Sequence, residues 1–484
     1  MMNRKGLLLS YISIFFLPLM GSCQASYQPE PFDLADVLTD PCYETASISF
    51  AVYDLDGDSI ITGYEPETAL PPASTQKILT TAAALLTLGE EFEFETDVQI
   101  AGAIQDSTLK GDLIIRGFGD PALGSSHFVQ DGFEGVFGVI TQMLRQVGIH
   151  RISGDIVGDA GYYSPSTIPR SWPYQHLGNY YGAFATGLNF FDNQFFLKFH
   201  QRSSPGEPIV DLTIEPGVPG LTLRSYVKSG PPGSGDEAYI MGAPFQTNRY
   251  VQGTIPPGNG LFTIRGSLPD PALFLTYHLK NYFETHGIQV NGTFRSSYDA
   301  ELKTDRSLGT IKSPSLSEIV TVTNQKSVNL FAEALGLRSM KNYTMDTDDW
   351  LLDFWKEKGI ETGGCHFYDF AGLAQDNALS ARTMIEILRY TYQERAIWPS
   401  FLRSLAIAGE QGTLRSMFRG TAAQGKIYAK SGLVNGVRSY AGYMESSSGK
   451  WYAFDLMTYN PDCDSGTVRR KLENWMEKLY IALP

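Results

Sequence analysis

At 484 residues the chain exceeds what one hydrophobic core usually fills, so two or three domains are expected, discontinuous ones included. With 43% apolar and 19% charged residues it is ordinary globular material, neither disordered nor fibrous, and 12% aromatic residues suit well-filled cores or grooves for peptide or carbohydrate. The net charge of -14, with 38 basic residues scattered along the chain, argues against a nucleic-acid partner, because neutralising phosphates takes a concentrated Lys/Arg face.

In chain order, Arg4 and Lys5, the apolar stretch Gly6 to Met20 and the small pair Gly21-Ser22 make residues 1–22 a secretory signal. Its apolar core of roughly 15 residues is short of the about 20 that a membrane span needs, and no later segment qualifies. Cys23 stands where a lipoprotein signal places its acylated cysteine, which would attach the protein to a membrane; the alternative is plain cleavage near Ala25. Export points to the periplasm or cell envelope, where a disulfide is permitted. Cys42 precedes the first strand and Cys463 the last helix, so these two can pair if both termini share a domain. No Cys-x-x-Cys spacing and no histidine pair at helical ligand spacing occurs, so neither a metal nor another cofactor enters the reading.

After a Pro-rich linker at 29–31, the period-two run 47–53, the turn Asp56-Gly57 and the run 59–62 predict a β-hairpin. Pro71-Pro72-Ala73 leads into Ser74 and then into a helix, apolar enough to be buried, that ends near Gly89. From about 93 to 297 the texture is short strands with many Gly and Pro, as at 111–116 and 154–157, and reads as an all-β or α+β insert; 203–260 is richest in Pro and Gly and suits a nested module. Helical periodicity returns at 314–337, 350–357 and 380–394. Strands follow at 425–429, 439–444 and 451–458, then a closing helix at 466–482.

The chemistry concentrates at Ser74 and Lys77. Three residues apart at the start of a helix, their side chains share one face, which sets an amine beside a hydroxyl. A lysine of pKa about 10.4 is a poor base at neutral pH, and a shift of about 3 units, on the order of 4 kcal/mol, has to come from burial or a neighbouring cation. Ser-x-x-Lys by itself is common: Ser107/Lys110, Ser225/Lys228 and Ser447/Lys450 repeat it in turn-like or strand-edge sequence. Two further motifs follow in order, Ser327-Val328-Asn329 before an amphipathic helix and Lys430-Ser431-Gly432 at a strand end. The ordered set is that of penicillin-binding proteins and class A β-lactamases, here with Ser for Thr in the third motif, which keeps the hydroxyl. In that pattern Lys430 is the cation that keeps Lys77 neutral and grips a substrate carboxylate. Ser327 relays a proton, Asn329 orients Lys77 and the substrate amide, and backbone N–H groups of Ser74 and Leu433 form an oxyanion hole.

The chain resembles the D-alanyl-D-alanine carboxypeptidase/endopeptidases of the penicillin-binding protein 4 type, peptidase family S13, over nearly all of its mature length. The phrases that carry the likeness are Pro72-Ala73-Ser74-Thr75-Gln76-Lys77, Gly117-Phe118-Gly119-Asp120-Pro121, Trp172-Pro173, Gly178-Asn179-Tyr180-Tyr181-Gly182-Ala183 and Gly412-Thr413-Leu414. Residues 78 to 326, 249 in number, separate the first two motifs, and an insert of that size is the family's mark.

The resemblance implies a multidomain α+β protein: a β-lactamase/transpeptidase-like α/β/α sandwich from 26–92 and 298–484, an inserted domain from 93–165 and 261–297, and a nested domain at 166–260. It implies peptidoglycan stem peptides as substrate and β-lactam antibiotics as acylating inhibitors. Trp172, Gln175, Tyr180 and Gln375 fall at the pocket for the peptide side chain, beside Ser431, Gly432 and Leu433. Relatives usually carry an acid where Gln175 stands, and many have Gly-Leu-Ser-Arg where this chain has Gly372-Leu373-Ala374-Gln375, so both charged contacts to a zwitterionic side-chain end are missing.

Competing readings stay open. A β-lactamase needs a well-placed carboxylate for fast deacylation, for which Asp369 is one candidate, and a non-turnover penicillin- or peptidoglycan-binding protein needs none. Trp172 and Tyr180 could equally be packing aromatics. Gly117-x-Gly119-x-x-Ala122 imitates a dinucleotide loop, but Asp120-Pro121 would set a negative charge against the phosphates. Gly420 to Lys426 imitates a phosphate loop but ends in Ile427 where Ser or Thr should hold magnesium. No Gly-x-Ser-x-Gly elbow is present, which weakens a histidine-based hydrolase.

Overall fold

The computed structural model describes residues 33–128, 132–163, 168–299, 302–341 and 347–484. The signal segment and Cys23 lie outside the described residues. No helix among those described is long and apolar enough to cross a membrane.

Both chain ends build one six-stranded antiparallel sheet. Ser47–Asp54 is hydrogen-bonded between its hairpin partner Ser59–Tyr64 and the late strand Trp451–Tyr459; then follow Val437–Glu445, Ile427–Val434 and the short Ala406–Ile407. Alternation sorts the side chains of the first strand into two layers. Ile48, Phe50 and Val52 pack with Leu472, Trp475 and Met476 of the closing helix Ser465–Ala482. Ala51, with Ala441, Ala453 and Met457 of the neighbouring strands, faces Leu79, Leu335 and Met384 from the helices Lys77–Leu88, Asn329–Met340 and Ala381–Gln393. A sheet covered on both faces is the α/β/α sandwich that was expected.

Cys42 and Cys463 form a disulfide, with Cα atoms 5.2 Å apart across a sequence separation of 421. The bond ties the segment before the first strand to the segment before the last helix. Opening so long a loop enlarges the unfolded ensemble, so reduction, or the pair Cys42→Ser and Cys463→Ser, is expected to cost about 2–4 kcal/mol. A lower thermal unfolding midpoint with β-lactam labelling retained is the expected result.

Between the two halves of the sandwich lies an α+β insert. Glu93–Gln105 pairs antiparallel with Thr108–Gly117, and Ile156–Asp159 and Phe294–Ser297 add parallel strands beyond it. The helices Gly132–Gln146 and Pro271–Thr285 are additions to the sequence reading, which took this stretch as mainly short strands. Two three-stranded sheets make the smaller module.

Two boundaries drawn from sequence shift. Leu261–Ser267 pairs with Gln194–His200, so the small module's sheet extends past residue 260. Arg306–Ser315 pairs with Glu93–Gln105, so the insert's sheet continues past 297, and Pro314 ends a strand rather than opening a helix. A single apolar core, including Ile115, Phe137, Phe190, Leu197, Val227 and Phe274, runs through the insert and the small module.

Candidate active site

Ser74 sits in a 3-10 turn, Ala73–Gln76, that leads directly into the helix Lys77–Leu88. Ala73 has φ 50, a left-handed conformation that a non-glycine residue holds at a cost of about 1–3 kcal/mol. Neighbouring chain clamps it. Thr75 Oγ1 and Ser439 Oγ donate to the Pro72 carbonyl at 2.7 and 2.6 Å. A Cβ on Gly432 would lie 2.0 Å from Ser439 Oγ and 2.8 Å from Pro72 O, and one on Gly372 (φ 77) would lie 1.9 Å from Ala73 O. Glycine at these two positions lets the third-motif strand and the loop after Asp369 close against the nucleophile turn.

Lys77 Nζ lies 2.9 Å from Ser74 Oγ, 2.7 Å from Asn329 Oδ1 and 2.6 Å from the Ala371 carbonyl. Its amine is fully buried, and burial lowers its pKa from 10.5 to about 7, against the opposing charges of Asp369 and Glu333. The helix Leu316–Lys326 ends at Ser327, which is left-handed at φ 58, and the next helix begins at Asn329. That break turns both motif residues to one side.

Lys430 Nζ is 2.9 Å from Ser327 Oγ and 2.6 Å from the Ser431 carbonyl. Its pKa falls well below the ordinary lysine value, from burial first and from Lys77 second. Burial is the largest cause at both amines, and the two also repel each other, so a charge on either one disfavours a charge on the other.

Ser74, Ser327, Asn329 and Leu433 line one cavity of about 790 Å³, with Lys77 and Lys430 behind its wall. The strand Ile427–Val434 is paired on its outer side only at Tyr428 and Ala429, so among the described residues the edge from Lys430 to Val434 carries no strand. Ser431 Oγ donates to Thr413 Oγ1 at 2.8 Å, and Leu433 is 57% exposed.

The side-chain pocket read from sequence is only partly assembled. Tyr180 lines the cavity, but its ring is covered by the Arg265 guanidinium at 3.6 Å. Trp172 does not line it; the indole is buried against Leu373 and Ala374 and donates to Asp369 Oδ2 at 2.8 Å, a packing role. Gln175 and Gln375 are exposed and also lie off the cavity wall.

Of two buried acids beside the site, Glu333 escaped sequence reading and Asp369 has a different part from the one considered for it. Glu333, one turn after Asn329, accepts the N–H groups of Phe370 and Ala371 at 2.9 and 2.8 Å, and burial raises its pKa well above the carboxylate range. A lone carboxylate within an apolar helix was the available signal. Asp369 accepts from Gly372 N (2.9 Å), Leu373 N (2.7 Å), Ala374 N (2.9 Å), Asn377 Nδ2 (2.8 Å) and Trp172 Nε1 (2.8 Å). With both oxygens so occupied it is a structural staple, and the idea that it could serve as a deacylating base is withdrawn. Asp369→Ala would leave several buried donors unpaired at about 1–3 kcal/mol each, so a fall in the unfolding midpoint equivalent to at least about 3 kcal/mol is expected by thermal melting.

A hydroxyl next to a buried, near-neutral lysine on an α/β/α sandwich defines a lysine-assisted active-serine enzyme. The model of the D-Ala-D-Ala carboxypeptidase 3 (S13) family matches residues 32–479, and the chain belongs to that family. It is a serine peptidase of the D-Ala-D-Ala carboxypeptidase class. It is 25% identical over 458 residues to the D-alanyl-D-alanine carboxypeptidase DacB of Haemophilus influenzae, covering 92% of this chain and 93% of that one. Identity is 26% over 450 residues to a D-alanyl-D-alanine carboxypeptidase of Actinomadura sp. strain R39, with 88% and 80% covered. Among solved structures, penicillin binding protein 4 from Haemophilus influenzae superposes with a TM-score of 0.79 at 22% identity over 93% of this chain and 98% of that one; its complex with a β-lactam scores 0.74.

Proposed function

We propose that Ser74 is the nucleophile and Lys77 its general base in removing the terminal D-alanine from peptidoglycan stem peptides, and that the same serine is acylated by β-lactams. The observation that carries this is the buried Lys77 amine, lowered to about 7 and 2.9 Å from Ser74 Oγ. The neutral amine takes the hydroxyl proton as Oγ attacks the carbonyl carbon of the penultimate residue. Ser327 Oγ passes that proton to the leaving nitrogen, the C–N bond breaks and D-alanine departs. Water then attacks the acyl-serine, giving a proton to Lys77, and Ser74 Oγ recovers its proton as the ester opens.

A terminal carboxylate sitting against Lys430 favours its charged form. The unpaired edge at 430–434 supports docking of the substrate backbone as an added strand. N–H groups of Ser74 and Leu433 serve the oxyanion, and Ser431 and Gly432 flank the carboxylate. Gln175, Gln375 and Trp172 take no direct part in this reading.

Cleavage of crosslinks is the same chemistry on an internal D-alanyl bond. The leader at 1–22 supports export to the periplasm or cell envelope, and Cys23 supports anchoring there by lipid. A fluorescent penicillin and release of D-alanine from an acyl-D-Ala-D-Ala peptide test the reading together. Persistent label with D-alanine release is expected; persistent label with no release on any peptide would indicate a binding protein, and rapid antibiotic turnover a β-lactamase.

A further inference from the structure

The outer face of the small module carries aromatic residues that its core does not use. In the sheet formed by Glu237–Met241, Asn248–Ile255 and Thr222–Ser229, Tyr239 pairs with Gln252 and Gln252 with Tyr226, while Met241 pairs with Tyr250 and Tyr250 with Arg224. Paired residues share a face of the sheet. The opposite face gives Ala238, Ile240, Val251 and Val227 to the core of the insert, so the tyrosines point away from it. Tyr226 is 55% exposed and Tyr239 39%. Tyr226 and Tyr250 meet edge to face with centroids 6.1 Å apart, and Arg224 Nη1 donates to Tyr226 Oη at 3.4 Å, contacts that steady the Tyr226 ring and leave it open.

A solvated sheet face is ordinarily polar, and exposed rings clustered on one mark a binding surface. This face runs into the catalytic cavity, because Tyr239 lines the same space as Ser74 and Asn329. Whatever lies across it is continuous with whatever occupies the cavity. Tyr239 and Tyr226 flank the central strand, roughly 9–10 Å apart by the usual strand spacing, with the Gln252 amide between them. Aromatic rings offer a stacking surface to the apolar C–H faces of sugars, and a primary amide both donates to and accepts from hydroxyl and acetamido groups. Lipid tails would call for aliphatic side chains, yet Met241 is the only apolar non-aromatic residue that these three strands turn outward. Arg224 and Lys228 outnumber Glu237 on the same face, in a chain of net charge -14, which suits a polymer bearing carboxylates.

We propose that Tyr226, Gln252 and Tyr239, with Tyr250 and Arg224 beside them, form a platform for the glycan strand of peptidoglycan, the polymer of N-acetylated hexosamines that bears the stem peptides. The separation of the two exposed rings is comparable to the length of a disaccharide, so they stack on alternate sugars while the Gln252 amide bonds an acetamido group between them. Arg224 and Lys228 meet carboxylates of neighbouring stems. The platform rests on the peptidoglycan reading above, and it makes the small module an anchor that raises the local concentration of stem peptide at Ser74.

The probe is a glycan strand freed of its stem peptides by an amidase, titrated by calorimetry into the whole chain carrying Ser74→Ala. Binding is expected, and adding Tyr226→Ala or Gln252→Ala should weaken it by about 5-fold to 30-fold, whereas Tyr226→Phe, which keeps the ring, should bind nearly as the parent does. In the chain with Ser74 intact, Tyr226→Ala should keep penicillin labelling, which reports folding, and D-alanine release from a sugar-free acyl-D-Ala-D-Ala peptide. On a glycan-linked pentapeptide its KM should rise by the same factor with kcat kept. Failure of the strand to bind, or binding that both alanine variants leave intact, overturns the platform while the peptidase reading stands. A dimer that Tyr226→Ala dissociates in the absence of glycan also overturns it, because a second copy then covers the face. Glycan binding that depends on Tyr226, with no D-alanine released by wild type from any peptide, supports the platform and removes the peptidase reading.

Discussion

Replacing Ser74 with alanine should abolish covalent labelling by penicillin and lower D-alanine release by a factor on the order of 10⁶, because loss of a nucleophile removes the acyl-enzyme route altogether. The fold should survive the change. Ser74 is half-buried, its only hydrogen bond to a side chain among the described residues is the one with Lys77, and the turn around it is held by Thr75, Ser439, Gly372 and Gly432. Mass spectrometry after β-lactam incubation reads the outcome: an adduct still present at full stoichiometry on the alanine variant would mean that another residue is the nucleophile. A wild-type protein without an adduct would remove the mechanism.

The second large effect is the dependence of acylation on pH and on the Lys77 amine. Burial brings its pKa from 10.5 to about 7, so the base form gains as pH rises through 7. The acylation rate constant is therefore expected to climb about tenfold per pH unit below 7 and to level off above it. An unperturbed lysine would instead place that rise above pH 10, with roughly one amine in 10³ free at neutrality. Lys77→Met, which keeps the stem and removes the base, should slow acylation by about 10²–10⁴ and abolish the limb near 7. Stopped-flow quenching with a chromogenic β-lactam from about pH 5.5 to 8.5 checks both, and a flat profile for wild type would show that Lys77 is not the titrating base.

The two amines set the electrostatic character of the site between them. Lys430 is pushed below its ordinary value by burial and by Lys77, so both cannot readily hold a proton at once. A substrate carboxylate arriving at Lys430 favours the charge there, which in turn discourages protonation of Lys77. Binding and activation of the base are thus coupled through one buried pair.

Much of the reaction centre could be read from residue order. Ser74 and Lys77 need only a helical turn to meet, Ser327 and Asn329 need only a helix break, and the Gly432 that follows Lys430 and Ser431 marks a close backbone approach. Short apolar runs likewise marked the strands of the sandwich, since a sheet covered on both sides demands apolar residues in both phases. The long interval before Ser327 announced the insert.

Tertiary packing alone decided the rest. Whether Trp172 meets substrate or Asp369, and whether Gln175 and Gln375 reach the cavity, depends on how separate segments seat against one another. The full burial of Lys77, the largest cause of its shift, is a property of the whole surrounding core, whereas sequence displays only the presence of another lysine. Local periodicity records one element's own geometry, while solvent exclusion and charge pairing arise only when elements distant along the chain close over the same space.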